Sequence, residues 1–191
     1  MKKLLLTSIL YTVVTAIALG IVYPLVITAV AHKLFPQQAA GSLVYNASGE
    51  LIGSHYIGQA FTGPGYFHSR PSAAGNGNGY DPTSSSGSNL APTSAALVSR
   101  IQQSVTAEQQ PTGDVPIDLV TASASGLDPE SSPAAALYQV PRIAAQRGLP
   151  ADQLTALVNQ HIQPRQFGVL GEPRVNVLEL NLALDALASN K

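Results

Sequence analysis

Three of the four histidines and many serines are the residues of this chain whose types could support acid–base or nucleophilic chemistry. His55, His68 and His161 lie far apart in the sequence, and none belongs to an HExxH or GxSxG pattern. We therefore predict structural or surface roles for all three and no catalytic residue. An unfamiliar pairing of a serine with one of them leaves a membrane-anchored extracytoplasmic serine hydrolase open as an alternative function, beside a solute-binding module.

Two loops combine hydroxyl side chains with glycine and are candidates for contact with an anion or a protein. Such residues together with backbone amides before a helix can hold an anion, but they also form ordinary turns and caps. The first loop, around residues 86 to 89, is either a recognition loop or a low-complexity linker. Its candidate contact residues are Ser86, Gly87, Ser88 and Asn89. In the second loop, residues 121 to 130, the candidates are Thr121, Ser123, Ser125, Gly126 and Asp128.

Positive charge is scarce outside the first 33 residues, and this excludes several classes of site. Residues 34 to 191 carry 7 basic and 11 acidic side chains, a net charge of −4, which argues against a nucleic-acid partner. No lysine occurs between Lys33 and Lys191, so a Walker A phosphate loop is absent. The chain has no cysteine, which excludes disulfides and thiolate metal sites, and we predict no metal site.

Arg70 and Arg142 could contact a phosphate or a partner, and Arg142 is one of the candidate contact residues. In a domain with so few cations, pairing with a carboxylate is the favoured interpretation. The candidate partners are Asp81, Asp118 and Asp128.

The elements that position these residues begin with an apolar run. Residues 4 to 31 contain no charged side chain, and about 20 apolar residues are enough to cross a ~30 Å hydrocarbon core. Ala29-Val30-Ala31 has the form of a signal-peptidase site, but the run is about twice the ~7 to 15 residues of a signal-peptide core. The sequence thus favours a single-pass transmembrane anchor, residues 1 to 33, followed by a separate domain, residues 34 to 191.

The anchor also carries signals for its orientation and its packing. Lys2 and Lys3 precede the span, which places the N-terminus in the cytoplasm and the following domain outside the cytoplasmic membrane. Pro24 is expected to bend the last turns. A stripe of small side chains allows a second helix to approach closely, although such spacing also arises by chance in spans of this composition. It consists of Ser8, Thr12, Ala16 and Gly20.

The domain alternates strand-like and helix-like patterns, which predicts an α+β (mixed α/β) fold. Expected strands are a hairpin of residues 43 to 45 and 51 to 53, a segment at 115 to 120 and another at 174 to 178. Expected helices cover about 94 to 110, 133 to 139, 141 to 147, 151 to 161 and 180 to 187, with Pro141 separating the second and third. Residues 74 to 90 are predicted to be irregular, either as a functional loop or as a disordered segment.

Five segments resemble, in order, the C subunit family of the Kdp potassium-transporting P-type ATPase. They are VYPLV at 22 to 26, GYFHSRPSA at 65 to 73, SGSNLAPTS at 86 to 94, VPIDLVTASASGLDPESSPAAALYQVPRIA at 115 to 144 and VNVLELNLALDAL at 175 to 187. The resemblance covers nearly the whole length of the chain.

This resemblance implies a non-enzymatic accessory subunit with one span in a complex of the bacterial inner membrane. Its implied partners are a channel-like potassium-translocating subunit and an ATP-hydrolysing P-type subunit. The family is described as a catalytic chaperone that raises ATP affinity through a transient ternary complex with ATP, and no firmly bound cofactor is expected. Because an external domain does not meet cytoplasmic nucleotide, we favour stabilisation of the complex through the span and capping of the channel-like subunit at its outer mouth.

Overall fold

The computed structural model describes residues 1–46, 48–75, 79–111 and 113–189, and it begins with a long apolar helix. Helix α1, Lys2–Ile17, continues through a π-helical turn, Ala18–Val22, into α2, Tyr23–Leu34. Together they form one 33-residue helix that is long and apolar enough to cross a membrane, and none of its most apolar stretch is buried. It is the one helix among the described residues that meets this criterion.

The π-helical turn ends two residues before Pro24 and has a local cause. Proline has no N–H, so the regular hydrogen bond to the carbonyl four residues earlier cannot form there. Just before Pro24, the N–H of Tyr23 bonds to the Ala18 carbonyl, five residues earlier, rather than to the carbonyl four residues earlier. The helix therefore continues past Pro24 with an altered hydrogen-bond pattern rather than ending there.

Backbone contacts divide the chain into two compact units, Met1–Leu43 and Val44–Lys191. The first unit contains the long helix and a short helix α3, Pro36–Ala39. A small hairpin of β1, Leu43–Tyr45, and β2, Leu51–Ser54, follows as predicted. Asn46 shapes its turn, since its Oδ1 accepts hydrogen bonds from the backbone N–H groups of Ser48 and Glu50 at 3.0 and 2.8 Å.

Helix α4, Ala95–Glu108, matches the predicted helix, but none of its residues is fully buried. The strand predicted at 115 to 120 is wrong, because a short 3₁₀ turn, Ile117–Leu119, forms there. Pro116 has no N–H to give a strand ladder, and its carbonyl accepts from the Leu119 N–H at 3.0 Å, which closes the turn. Leu119 and Val120 are nevertheless buried, so the apolar pattern marked a packed turn.

Helix α5, Pro133–Arg147, is continuous, and the predicted break at Pro141 is wrong. Pro141 itself is exposed, so its ring takes up no space in the core. Val140 and Ile143 on either side are buried, so packing keeps the two halves aligned. The predicted ends are confirmed: Ser132 Oγ accepts from the Ala135 N–H at 3.2 Å, and Gly148 ends the helix at φ +61°.

A three-stranded antiparallel sheet in the order β3-β5-β4 completes the second unit. Strands β3, Glu130–Ser131, and β4, Ile162–Gln163, were not predicted, and each pairs with β5, Arg174–Asn176. Strand β5 ends before residue 178 because Asn176 caps helix α7, Val177–Ser189. Its Oδ1 accepts from the Glu179 N–H at 3.1 Å.

The core lies where α5, α7 and β5 meet α6, Ala151–Gln160. It holds Val140, Ile143, Leu154, Val158, Val175, Leu180 and Leu184, together with Phe67 from the preceding loops. The mixed helix-and-sheet domain following one apolar N-terminal helix is confirmed.

Candidate functional site

The loops singled out by their composition fold against one another and form what we call the loop cluster, residues 69–75, 79–89 and 121–128. The Ser123 N–H bonds to the Pro71 carbonyl at 3.2 Å, and Ser85 Oγ donates to the Ser125 carbonyl at 2.9 Å. Ser86 Oγ donates to the Ala73 carbonyl at 3.3 Å. Segments separated by up to about fifty residues in sequence are thus joined by backbone–backbone and side chain–backbone hydrogen bonds.

Ser72 is the central link of the loop cluster. Its hydroxyl donates to the Gly126 carbonyl at 2.7 Å and accepts from the N–H groups of Tyr80 at 2.9 Å and Ala74 at 3.2 Å. One hydroxyl therefore uses its donor and both acceptor positions to connect all three segments. Sequence reasoning missed this residue, and the signal available for it was its place in the GYFHSRPSA segment.

The candidate hydroxyls of the 121 to 128 loop bond to backbone groups of this loop or of the 3₁₀ turn before it. Ser123 Oγ accepts from the Gly126 N–H at 2.7 Å, and Ser125 Oγ accepts from the Leu127 N–H at 3.1 Å. Thr121 Oγ1 donates to the Ile117 carbonyl at 2.8 Å. These contacts are those of a turn built by Ser and Thr side chains. Anion contact by this loop stays a prediction.

Two candidate glycines are needed for close packing. A Cβ on Gly126 would lie 2.7 Å from the Ala74 Cβ and 2.8 Å from the Ser86 carbonyl oxygen, and φ there is +69°. A Cβ on Gly87 would lie 2.9 Å from the Ala124 carbonyl oxygen. Ser88 is half-buried, whereas Asn89 is exposed at the end of the cluster with φ +51°. The two glycines let the three segments approach each other.

Arg70 pairs with Asp128, which confirms the predicted pairing for this arginine. Arg70 Nη1 and Asp128 Oδ2 are 3.0 Å apart, and Asp128 Oδ1 also accepts from the Glu130 N–H at 3.0 Å. The Tyr80 hydroxyl donates to the Arg70 carbonyl at 2.6 Å. Burial raises the pKa of the Tyr80 phenol to about 12, although a hydrogen bond with Ser69 opposes the shift. Tyr80 therefore acts as a hydrogen-bond donor throughout the physiological pH range.

Among the described residues no carboxylate forms an ion pair with Arg142, so that prediction is wrong for this residue. It projects from α5 to the chain before the loop cluster, where its guanidinium donates to the carbonyls of Pro64 at 2.5 Å and Tyr66 at 3.1 Å and to Gln139 Oε1 at 2.7 Å. Two carbonyls and the Gln139 amide together give the guanidinium three oxygen acceptors without an ion pair. Burial lowers the pKa of Arg142, and the charge of Glu108 partly offsets the effect.

Gln139 and Glu108 fix His68 from two helices. The Gln139 side chain is buried, and its Oε1 accepts from the His68 N–H at 2.7 Å while its Nε2 donates to the His68 carbonyl at 3.3 Å. His68 Nδ1 lies 2.8 Å from Glu108 Oε1, and His68 Nε2 lies 3.1 Å from the Gly63 carbonyl oxygen. Both ring nitrogens are therefore occupied.

The ionised form of Glu108 is favoured despite its surroundings. Burial opposes ionisation, but the hydrogen bond from His68 and the charges of His68 and Arg142 outweigh it, so the pKa of Glu108 is lowered. The other two histidines also contact oxygen atoms: His55 Nδ1 lies 2.7 Å from Glu179 Oε1, and His161 Nδ1 lies 2.9 Å from the Leu157 carbonyl oxygen.

An open cleft of about 450 Å³ lies between α4 and the loop cluster. Polar side chains on its wall include Thr62, His68, Ser69, Arg70, Tyr80, Arg100 and Glu108. His68, Arg70, Tyr80 and Glu108 are paired in the contacts above, whereas the buried Nε of Arg100 has no hydrogen-bond partner among the described residues. A serine hydrolase needs a histidine nitrogen directed at its nucleophile, whereas His68 has both nitrogens engaged by Glu108 and Gly63.

The small-residue stripe belongs to the long helix of the first unit. Its members Ser8, Thr12, Ala16 and Gly20 are all exposed, and a Cβ on Gly20 would meet nothing within 4 Å. No other part of the described chain covers the stripe, so a helix of another subunit could pack there. Its use as a packing surface stays a prediction.

The chain is similar to known proteins over nearly its whole length. A family profile described as K⁺-transporting ATPase, c chain (KdpC), matches residues 5–186. The chain is 57% identical over 181 residues to the potassium-transporting ATPase KdpC subunit of Acidobacterium capsulatum, covering 95% of this chain and 97% of that protein. The KdpC subunit of Koribacter versatilis is 56% identical over 187 residues, covering 97% of this chain and 95% of that protein.

A third relative extends the match to nearly every residue. The KdpC subunit of Gemmatimonas aurantiaca is 53% identical over 192 aligned positions, covering 99% of this chain and 96% of that protein. The matched region includes the apolar helix, the loop cluster and the C-terminal helices. This chain belongs to the KdpC family, the c chains of K⁺-transporting ATPases.

Proposed function

We propose that this chain is a non-catalytic, membrane-anchored accessory subunit that stabilises an assembled K⁺-transporting ATPase. The observation that carries the proposal is the continuous apolar helix Lys2–Leu34, none of whose most apolar stretch is covered by the rest of the chain. An apolar surface of this length needs lipid or other membrane helices around it. The chain belongs to a family of K⁺-transporting ATPase c chains, so the other subunits of such an ATPase would provide these membrane helices.

The contacts of the loop cluster support a role without catalysis. Several of its hydroxyls, including those of Ser72 and Ser123, bond to backbone groups of the same cluster, and those of Ser69 and Thr121 donate to neighbouring backbone carbonyls. The nearby histidine, His68, is bonded on both ring nitrogens. A solute-binding module or a hydrolase would need some of these groups free, so contact with other subunits is the better supported function.

The proposed partners are a channel-like potassium-translocating subunit and an ATP-hydrolysing P-type subunit of the same complex. Within the bilayer, the stripe from Ser8 to Gly20 would allow a helix of a partner to approach closely. Outside it, residues 44 to 191 would cap the channel-like subunit at its outer mouth. The domain's acidic excess contributes little to attracting cations there, because exposed charges are screened over ~8 Å at physiological salt.

The orientation is part of the proposal and is tested by a reporter fusion at the C-terminus. Lys2 and Lys3 favour a cytoplasmic N-terminus, which puts the domain on the external side of the bacterial inner membrane. An externally active reporter is expected. A cytoplasmic reporter signal would refute the capping role and would favour the alternative in which the domain raises ATP affinity in a transient ternary complex.

The accessory role is tested by expressing the other subunits of the complex with and without this chain. We expect the chain to co-purify with them and its omission to reduce both the yield of intact complex and potassium-stimulated ATP hydrolysis. The purified chain alone is expected not to hydrolyse ATP. A fully active complex that forms without the chain would contradict the proposal, and so would hydrolysis by the chain itself.

A further inference from the structure

The loop between β4 and β5 presents an unusual group of apolar side chains. Residues 164 to 173 are exposed without interruption. Phe167, Val169 and Leu170 expose 90%, 72% and 55% of their surface, and we call these three residues the apolar tip. Single exposed apolar residues are common, but three large ones within four positions of a protruding loop form a patch that calls for a covering partner.

The loop that carries the apolar tip is closed by several hydrogen bonds. The backbone N–H of Gln166 donates to the Leu170 carbonyl and that of Leu170 to the Gln166 carbonyl, both at 2.9 Å. The Gly168 N–H donates to the Arg165 carbonyl at 3.1 Å. Arg165 and Glu172 pair across the base at 2.5 Å. The tip is thereby presented in a defined conformation, which reduces the ordering cost of binding.

The backbone at Phe167 adds an independent observation. Its φ is +53°, in the left-handed region that bulky side chains rarely adopt and that glycine adopts without strain. The ring is also 90% exposed, so it contributes almost no burial to the chain's own core. In the isolated chain, phenylalanine at this position therefore neither packs against other residues nor suits the local backbone conformation. Strained residues of this kind concentrate at binding and functional positions.

We propose that the apolar tip inserts into an apolar pocket on another subunit of the K⁺-transporting ATPase complex. The proposal rests on the accessory function above, in which the chain works by contact. It makes Phe167 the anchor residue of that contact, with Val169 and Leu170 excluding water around it.

Charge and area favour another subunit over the two other surfaces that could cover the tip. Arg165 and Glu172 neutralise each other, so the loop offers no net positive charge to anionic lipid headgroups. A phenylalanine buries ~150–250 Å², and even with two smaller side chains the tip stays below the ~800 Å² per partner of an independent complex. The tip alone could therefore not hold two copies of this chain together. A subunit that other contacts of the complex already hold beside this chain has a high effective concentration, and a small contact with it then suffices.

The first test places a photoreactive benzophenone amino acid at Phe167 in the full chain, co-expressed with the rest of the complex and irradiated in membranes. The control carries the same group at Ile117, which is 70% exposed on the 3₁₀ turn. We expect an adduct with another subunit at position 167 with at least about ten-fold higher yield than at 117. Adducts with lipid only, with a second copy of the chain, or with equal yield at both positions would overturn the proposal.

The second test uses Phe167→Gly, which removes the ring and suits the left-handed backbone. The thermal stability of the chain in detergent is expected to be unchanged or higher, while its dissociation rate from the solubilised complex rises about ten-fold. Ile117→Ser should change neither quantity. An unchanged dissociation rate would refute docking by the tip while leaving the accessory function intact. If the unsubstituted chain itself fails to co-purify, it is the accessory function that fails.

Discussion

Asn181 holds Phe67 by both of its backbone groups. Asn181 Oδ1 accepts from the Phe67 N–H at 2.9 Å, and Asn181 Nδ2 donates to the Phe67 carbonyl at 3.0 Å. Gln139 makes the same pair of contacts with the next residue, His68. The buried side-chain amides of Asn181 on α7 and Gln139 on α5 thus supply the hydrogen bonds that neighbouring strands would otherwise give to Phe67 and His68. This segment leads from the core into the loop cluster.

Replacing Asn181 by alanine is expected to be strongly destabilising. The variant leaves the N–H and carbonyl of Phe67 buried without partners, and we expect the free energy of unfolding to fall by about 2–4 kcal/mol. Denaturant unfolding of the full chain in detergent measures this loss. The matched control is Asn159→Ala, because Asn159 is exposed on α6 and should change stability by less than about 0.5 kcal/mol. Equal effects for both variants would refute a structural role for the Asn181 contacts.

Gly126→Ala tests whether close approach within the loop cluster matters beyond backbone strain. Gly126 and Gly148 have similar positive φ values, +69° and +61°, but a Cβ on Gly148 would meet nothing within 4 Å. Both substitutions therefore carry a strain cost of ~1–2 kcal/mol, and only Gly126→Ala adds overpacking against Ala74, of ~1–3 kcal/mol. Thermal unfolding should show the larger loss for Gly126→Ala. Equal losses would mean that the cluster adjusts freely.

The lowered pKa of Glu108 predicts a specific pH dependence of stability. The folded state favours the carboxylate, so this contribution is fully present above the ordinary pKa of 4.5 and is lost as the pH falls through the lower folded value. Denaturant unfolding of Glu108→Gln should show a shallower decline below pH 4.5 than the unsubstituted chain. The exposed Asp114→Asn serves as the control and should leave the decline unchanged. An unaltered pH profile in Glu108→Gln would contradict stabilisation of the fold by the Glu108 carboxylate.

Gly20→Leu tests the small-residue stripe of the membrane helix. A Cβ at Gly20 meets nothing within 4 Å in this chain, so the substitution should leave the chain itself folded. It would block the close approach of a partner helix. We expect the amount of chain recovered with the solubilised complex to fall about ten-fold, which corresponds to ~1.4 kcal/mol. Ile21→Phe enlarges an exposed position outside the stripe and should have little effect, whereas equal recovery of both variants would argue against the stripe.

Local patterns in the sequence determined several features of this protein by themselves. An uncharged run of 28 residues fixes a membrane-length helix, because length and apolar character alone decide that property. Ser132, Pro133 and Gly148 mark the ends of α5 because caps act within one turn of the backbone. Family membership was likewise evident from the order of the motifs and is confirmed by the relatives.

Only the tertiary structure decided the features that depend on distant partners. Strands β3 and β4 contain two residues each, too few for a periodic pattern, and exist because β5 pairs with them. Helix α5 passes through Pro141 because burial of Val140 and Ile143 outweighs one lost hydrogen bond. The role of Ser72 as the link of the loop cluster follows from Tyr80 and Gly126, and no short-range rule contains that information, since such contacts form only when the chain has folded.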